Sequence, residues 1–578
     1  MTSPEITELV SQGDPSTLLD LAWAMEPPLR LTERRAALDR LEQVLASGDA
    51  PTPPAGRDWQ LELWAERAVD AAAADNLEAA LALAERVLAS SEDSAGIATA
   101  RATLARGRAL AWSGTEENTR AGEGLLVEAT ERFAALGQTE WQGFTVFWRG
   151  HSICYENGRL LEAEALMAQA LEILPYSSPR RATVLAFYAD VLCDLGAWDR
   201  ADAALDEAYR LAETADDPLS RAYVTWSRAH TAAGRGDSVR AERLFREVER
   251  DATDWWQNFG VYFLCDAARS LDTLGLTEQA HGYLRRARTQ LDSSSIGSDQ
   301  ATDDLEPLAL AHALLLARSG DPALALEELQ ALTRRRWLEK RLLWRFALLS
   351  AWARLRMGNR EGAGVEAAHA LEQAVATGGI NVALAGEPDI TAALAPLAAE
   401  AGSPAAAELL RGDAQLVIRL FGAPEVVSAD GHTLDLPAGR PGELVRILAL
   451  HPHGLPVEVV LEEFFPDTPP KTSRHRLRQV LLRLRAVGGE IVIREGEMLK
   501  LAPAWVDVRE FRALARRARA SRGTRRVILS GAAQALAGRG PLLVSDPYAA
   551  WTEELRDAVH AELEQLAGDN GQWPGVAR

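Results

Sequence analysis

Residues 157–166 read NGRLLEAEAL and residues 195–205 read LGAWDRADAAL. Each holds a glycine followed five residues later by an alanine, Gly158/Ala163 and Gly196/Ala201. The frame recurs at Gly236/Ala241, Gly275/Ala280, Gly320/Ala325 and Gly358/Ala363. Asp75/Ala80 fits it at the front with aspartate in the glycine slot, and Gly402/Ala407 fits it at the back. Gly114 keeps the series, with its alanine displaced to Ala121. Glycine ends a first helix because it enters the left-handed region without a steric penalty. A second helix then starts, and its small alanine lets the paired helix approach closely.

One such hairpin cannot bury its own apolar face, so consecutive hairpins stack into a solenoid. The frame resembles the tetratricopeptide-like helical repeat in a longer variant, and the resemblance covers about residues 58–412. Residues 1–57, interrupted at Glu26–Pro28 and Pro51–Pro54, are expected to form an irregular helical cap. Arrays of this kind make concave grooves, here expected to hold a protein, peptide or small ligand. Thirteen of the sixteen tryptophans precede residue 415. Most are expected to fill gaps between helices. Trp255 and Trp256 are the candidate partner-binding pair, because adjacent helical positions cannot both point fully into one seam.

The 578-residue chain carries a formal charge of -21, yet residues 471–526 hold sixteen Lys/Arg against five Asp/Glu. The rest of the sequence therefore carries -32, an acidic body with one basic end, as expected of a protein that faces nucleic acid there. Three cysteines, Cys154, Cys193 and Cys265, make no disulfide framework and are expected as buried thiols. The N-terminus is acidic without an apolar run, and no stretch is long and apolar enough for a membrane helix. A cytoplasmic protein without membrane partners is the expectation.

After Gly412 the period changes. Residues 415–422 (QLVIRLFG), 425–431 (EVVSADG) and 432–437 (HTLDLP) are short β-type runs. Three helical segments follow, the third being TPPKTSRHRLRQVLLRLRAVGG at 468–489. A hairpin is expected around Glu495-Gly496. Sheet, three helices and hairpin make a winged helix over residues 413–503. In the third helix Leu477, Val480, Leu481 and Leu484 fall on one face and must pack inward. Lys471, Thr472, His475, Arg478 and Gln479 lie opposite, flanked by Arg474, Arg483 and Arg485. No acid appears from Lys471 to Arg485, which is what a helix docked in a major groove needs. Arg494 and Lys500 flank the hairpin tip as further DNA-binding candidates, although Glu495 and Glu497 sit at the tip itself.

LFGAPEV, LALHPHG, PVEVVLEEFFPD and RLRQVLLRLR resemble the OmpR-type winged helix of the SARP family of bacterial transcriptional activators. WVDVREFRALARRA and GPLLVSDPYAAWTEELRDAVHAELEQLA are similar to the start of that family's bacterial transcriptional activator domain, so residues 504–578 read as a truncated version of it. The resemblance implies binding to double-stranded promoter DNA and recruitment of RNA polymerase. The family usually places its winged helix at the N-terminus; here a repeat array precedes it.

Nothing points to catalysis. No Gly-x4-Gly-Lys-[Ser/Thr], His-Glu-x-x-His, Gly-x-Ser-x-Gly or Cys-x-x-Cys occurs, and His451 and His453 share a polar turn with no third ligand cluster nearby. No cofactor, metal or catalytic residue is expected. The sequence therefore reads as a mainly α protein: a tetratricopeptide-like solenoid, a C-terminal α+β winged helix and a short helical tail. The expected function is sequence-specific transcriptional regulation. The competing reading is a helical-repeat scaffold whose winged helix binds an acidic protein partner.

Overall fold

The computed structural model describes residues 3–25, 31–48, 50–54, 57–74, 76–90, 96–112, 115–215, 217–251, 256–293, 300–334, 340–412, 414–428, 431–488, 490–546 and 549–569. The chain is mainly helical, and among the described residues the strands fall within 416–506. Helical hairpins follow one another from Trp59 onward. Arg181–Asp194 pairs with Trp198–Thr214, Pro218–Gly234 with Ser238–Asp251, Trp256–Thr273 with Thr277–Ser293, and Leu343–Arg356 with Arg360–Gly378.

The glycine–alanine frame works as the sequence implies at most of its positions; Asp75 and Gly114 lie outside the described residues. Gly158, Gly196, Gly236, Gly275, Gly358 and Gly402 have φ between +74° and +93°. Ala80, Ala163, Ala201, Ala241, Ala280, Ala325 and Ala363 are completely buried. Gly320 departs from the frame, since it is not left-handed. Its turn is held instead by the Asp321 carboxylate, which caps Pro322–Thr333 by accepting from the Ala323 and Leu324 amides at 2.8 and 3.3 Å. Ala407 is only half-buried, and Ala405 and Ala406 are the buried residues of the short helix Pro404–Arg411.

The N-terminal helices Ser3–Gln12, Pro15–Ala24 and Leu31–Ser47 pack Leu18, Leu19, Leu38 and Leu41 against Trp59 and Leu63 of the first hairpin. A buried ion network locks this cap down. Arg34 pairs with Glu66 and Asp70, and Arg101 with Glu66 at 2.8 Å.

The array also closes on itself. The Arg341 guanidinium lies 3.2 Å from Asp194 and 4.4 Å from the Tyr155 ring, although 147 residues separate Arg341 from Asp194. A Cβ on Gly158 would meet the Arg341 backbone at 3.4 Å, and one on Gly378 would meet Leu160 and Leu195. Residues 340–386 thus fold back onto the hairpins at 149–196. Tyr155 reaches Asp194 from a π-helical turn, Arg149–Tyr155, and donates its hydroxyl to that carboxylate at 2.9 Å.

Beyond the array, strand β1 (Leu416–Arg419) pairs antiparallel with β2 (Glu425–Ser428). The run at 432–437 contributes one bridge, Val427 to Thr433, rather than the expected strand; Ala429 and Asp430 lie outside the described residues. Helices Arg440–Leu450, Val457–Phe464 and Pro470–Gly488 follow, with the two-residue strand β3 (Leu455–Pro456) between the first two. β4 (Val492–Glu495) and β5 (Met498–Leu501) form the expected hairpin with Gly496 at φ +61°, and β3 joins it in the order β3-β5-β4. β6 (Ala504–Val506) returns to pair with β1 in parallel. Asp507 fixes that return: its buried carboxylate accepts from the Leu420 amide at 2.8 Å and the Phe421 amide at 3.0 Å.

Helices Asp507–Ala520 and Gly523–Ala537 pack on each other, and the second packs on Pro388–Glu400 of the array. The contact is polar as well as apolar. The Thr524 hydroxyl donates to Asp272 at 2.8 Å, and Arg539 pairs with Glu400 at 3.1 Å. Structure therefore continues across residue 413 through side chains far apart in sequence. Among the described residues no helix is long and apolar enough to cross a membrane.

Candidate functional site

Helix Pro470–Gly488 buries Ser473, Leu477, Val480 and Leu484 against the helices and hairpin beside it. Leu481, expected inside, is only half-buried, and Ser473 takes a buried place on the face. The outer face is open: Lys471, Thr472, Arg474, His475, Arg478, Gln479, Arg483 and Arg485 are all exposed. Nineteen residues make a rod of about 28 Å. The seated side is anchored through Leu444, Leu448, Val457, Val460 and Leu499, all buried.

Acids from neighbouring elements neutralise part of this face, which the sequence could not reveal. Glu458 pairs with Arg474 at 2.5 Å, and Glu490 lies 3.5 Å from Arg485. On the hairpin, Glu497 pairs with Arg494 at 2.9 Å and Glu495 with Lys500 at 2.6 Å. Among the described residues Lys471, Arg478 and Arg483 have no ion pair and remain as free cations.

The basic end counted in the sequence is two different surfaces. The basic residues of 471–485 face outward. The second block packs on acids instead. Arg517 and Arg525 approach Asp389 at 3.2 and 3.4 Å, and Arg512 and Arg519 approach Glu562. Those arginines dock the C-terminal helices on one another and on the array.

Trp255, and the side chain of Trp256, lie outside the described residues. Trp141, Trp148, Trp344 and Trp352 are buried gap-fillers. Trp226 differs. It belongs to a row of aromatic rings that crosses consecutive first helices: Phe147–His151 at 5.8 Å, His151–Phe187 at 4.7 Å, Phe187–Tyr223 at 5.1 Å, Tyr223–Trp226 at 5.6 Å and Trp226–Phe263 at 5.7 Å. Phe187, Tyr223 and Trp226 are half-buried. Carboxylates accompany the row. The Tyr223 hydroxyl donates to Asp190 at 3.3 Å, and the Trp226 indole N–H to Asp266 at 2.8 Å. His230 Nδ1 lies 2.7 Å from Asp266, with 42% of its side chain exposed. The sequence reading missed this row because three of its five contacts join rings about one repeat apart and its members differ in type.

Electrostatics separate Asp266 from Asp190. Burial would raise Asp266, but His230 and Arg269, with hydrogen bonds from His230 and Trp226, hold it well below the usual carboxylate range. Asp194 has Arg341. Burial pushes Asp190 up to about 7, and its other neighbours do not offset this.

No family model and no curated protein matches the chain. Among solved structures it is similar to a Rap protein complexed with competence and sporulation factor, at 15% identity and a TM-score of 0.47, covering 65% of this chain and 100% of that one. It is also similar to the apo form of RapI, at 10% identity and a TM-score of 0.40, covering 63% and 97% of the two chains. A third is aspartyl phosphate phosphatase F from Bacillus subtilis, at 14% identity and a TM-score of 0.38, covering 66% and 97%.

Other chemistry-bearing residues have structural employment. Cys154, Cys193 and Cys265 are buried and form no disulfide, and burial pushes the Cys154 thiol up to about 12, far from a reactive thiolate. Glu123, Cys154 and Glu162 cluster closely enough to suggest a metal, but Glu123 accepts from Arg149 at 3.2 Å and Arg159 at 3.0 Å, so its carboxylate is already spent. His451 Nδ1 lies 2.9 Å from the carbonyl oxygen of Ile447 in its turn. His151, pushed down to about 3 by burial and then by Arg108 and Arg341, stays a neutral ring in the aromatic row.

Proposed function

We propose that the chain is a regulator whose helical array holds a partner and whose residues 413–503 form a winged helix that binds duplex DNA. The observation that carries the DNA reading is the two-sided helix Pro470–Gly488. One side is seated by Leu477, Val480 and Leu484; the other presents Lys471, Arg478 and Arg483 unpaired, with Thr472, His475 and Gln479 among them. Lysine and arginine neutralise phosphates, whereas arginine and glutamine also reach base edges. The order β1-β2, three helices, β4-β5 hairpin supports the winged-helix assignment. The likeness to SARP activators adds promoter DNA as the target and RNA polymerase as a further partner. The paired state of Arg494 and Lys500 argues for the helix, not the hairpin, as the main contact.

The second reading is a protein scaffold, and a specific observation favours it. Glu458, Glu490, Glu495 and Glu497 already pair with four of the cations, while Leu482 and Val459 stand 55% and 47% exposed on this surface. Mixed charge with apolar points suits an acidic protein surface. Selection from a random duplex pool with the full chain separates the two. DNA recognition yields an enriched sequence; recovery of unenriched pools at physiological salt rejects it and leaves the scaffold.

A further inference from the structure

We propose that Leu482 reads the 5-methyl group of a thymine in the major groove and so fixes one base of the recognition site. The inference deepens the DNA reading of helix Pro470–Gly488 and rests on it. Leu482 is exposed, whereas Leu477, Val480 and Leu484 of the same helix are buried and Leu481 is half-buried. At about 100° per residue, Leu482 lies within about 40° of Lys471, His475 and Arg478 around the helix axis. By the same count it lies about 140° or more from the buried Ser473, Leu477, Val480 and Leu484. It therefore stands in the middle of the outward face, not at its edge. Its companions there, Lys471, Thr472, His475, Arg478 and Gln479, are all exposed and all polar or cationic. A lone exposed leucine is ordinary on a protein surface. The place of this one, at the centre of a cationic face, carries the argument.

The major groove offers one apolar match. Where cations draw the helix onto phosphates, the middle of its face is pressed towards the base edges and Leu482 loses water. Those edges present hydrogen-bond donors and acceptors, and thymine alone adds a methyl group. A leucine against the cytosine amino group or guanine O6 would strip hydration without replacing it. Against thymine, two apolar groups leave water together. Gln479 and Arg478 stand three and four residues before Leu482, as neighbours on the helix surface. One helical turn is about 5.4 Å, less than two base-pair steps of about 3.4 Å each. The thymine should therefore lie within about two base pairs of the bases that Arg478 and Gln479 meet.

The test uses the full chain. A site is selected from a random duplex pool, and each of its thymines is replaced singly by deoxyuridine, which removes only the methyl group. One replacement should weaken wild-type binding about fourfold, the worth of one buried methyl. Leu482→Ala should bind the thymine duplex about fourfold more weakly and no longer distinguish thymine from deoxyuridine at that position. Its circular dichroism and its salt slope should be unchanged, because no cation is removed. Leu482→Met keeps an apolar side chain of similar volume and should retain the discrimination. A wild-type chain indifferent to deoxyuridine at every thymine, or a Leu482→Ala variant that still distinguishes the two duplexes, would overturn the assignment and leave the DNA reading standing. If no duplex is enriched at all, the DNA reading falls and this inference falls with it.

Discussion

Arg318 sits at the junction between the array and the C-terminal helices, and its loss should be costly. It is buried, lies 2.9 Å from Asp272, and also pairs with Glu387. Asp272 in turn accepts from the Thr524 hydroxyl at 2.8 Å, so one guanidinium serves three segments of the chain. Arg318→Met keeps the stem and removes the charge. Breaking a buried pair on one side costs about 3–5 kcal/mol, because the partner is left charged and dry. Glu387 keeps Arg345 at 2.7 Å, so the uncompensated group is Asp272, and about 3 kcal/mol is expected. Adding Asp272→Asn should recover about half, since the stranded charge is then gone. Urea unfolding gives the global figure. Amide exchange at Leu274, Gly275 and Thr524 gives the local one, and these should lose protection by about 100-fold or more. A loss under about 1 kcal/mol, or no recovery in the double variant, would refute the idea that this network ties the C-terminal helices to the array.

Three further expectations follow from single sites. Gly196→Val places a β-branched residue at φ +74°, and should cost about 1–3 kcal/mol in thermal or urea unfolding; a loss under about 0.5 kcal/mol would contradict a strained turn there. Asp507→Ala leaves the Leu420 and Phe421 amides buried without acceptors; about 3 kcal/mol should be lost, with amide exchange faster at β1 than in the array. Asp190 titrates near pH 7 in the fold and near 4 when unfolded, so the folded chain holds the extra proton between those values and stability falls as pH rises across them. Asp190→Asn removes that slope: it should match the wild type near pH 4 and exceed it by about 2 kcal/mol above pH 7, after discounting for partial hydration. An equal gain at both pH values would contradict a carboxylate whose titration is shifted by burial.

The repeat frame was legible because its cause is local. A left-handed turn wants glycine and a close helix crossing wants alanine, so Gly158/Ala163 and its counterparts repeat in the sequence. Gly320 shows the limit, as Asp321 does the work by side-chain capping. The seated face of the basic helix was legible for the same reason, through the i, i+3, i+4, i+7 spacing of Leu477, Val480, Leu481 and Leu484. Its net charge was not, because Glu458 and Glu490 arrive from other segments. The second arginine block reads as basic in sequence, yet Asp389 lies more than 120 residues away from both arginines it meets. The closure through Arg341 and Asp194 and the parallel pairing of β1 with β6 are likewise long-range, and neither leaves a periodic trace.

The salt dependence of duplex binding tests the DNA reading most directly. Wild type and the Lys471→Ala/Arg478→Ala/Arg483→Ala variant would be titrated by fluorescence anisotropy on a selected duplex between 50 and 300 mM salt, the usual range for such slopes. Each phosphate contact removed lowers the slope of log K against log salt by about 0.9. If these three unpaired cations dock on DNA, the variant's slope should be shallower by about 2–3 and its affinity much reduced at the lowest salt. Identical slopes, or a wild-type chain that binds no duplex even at low salt, would contradict a DNA-facing helix.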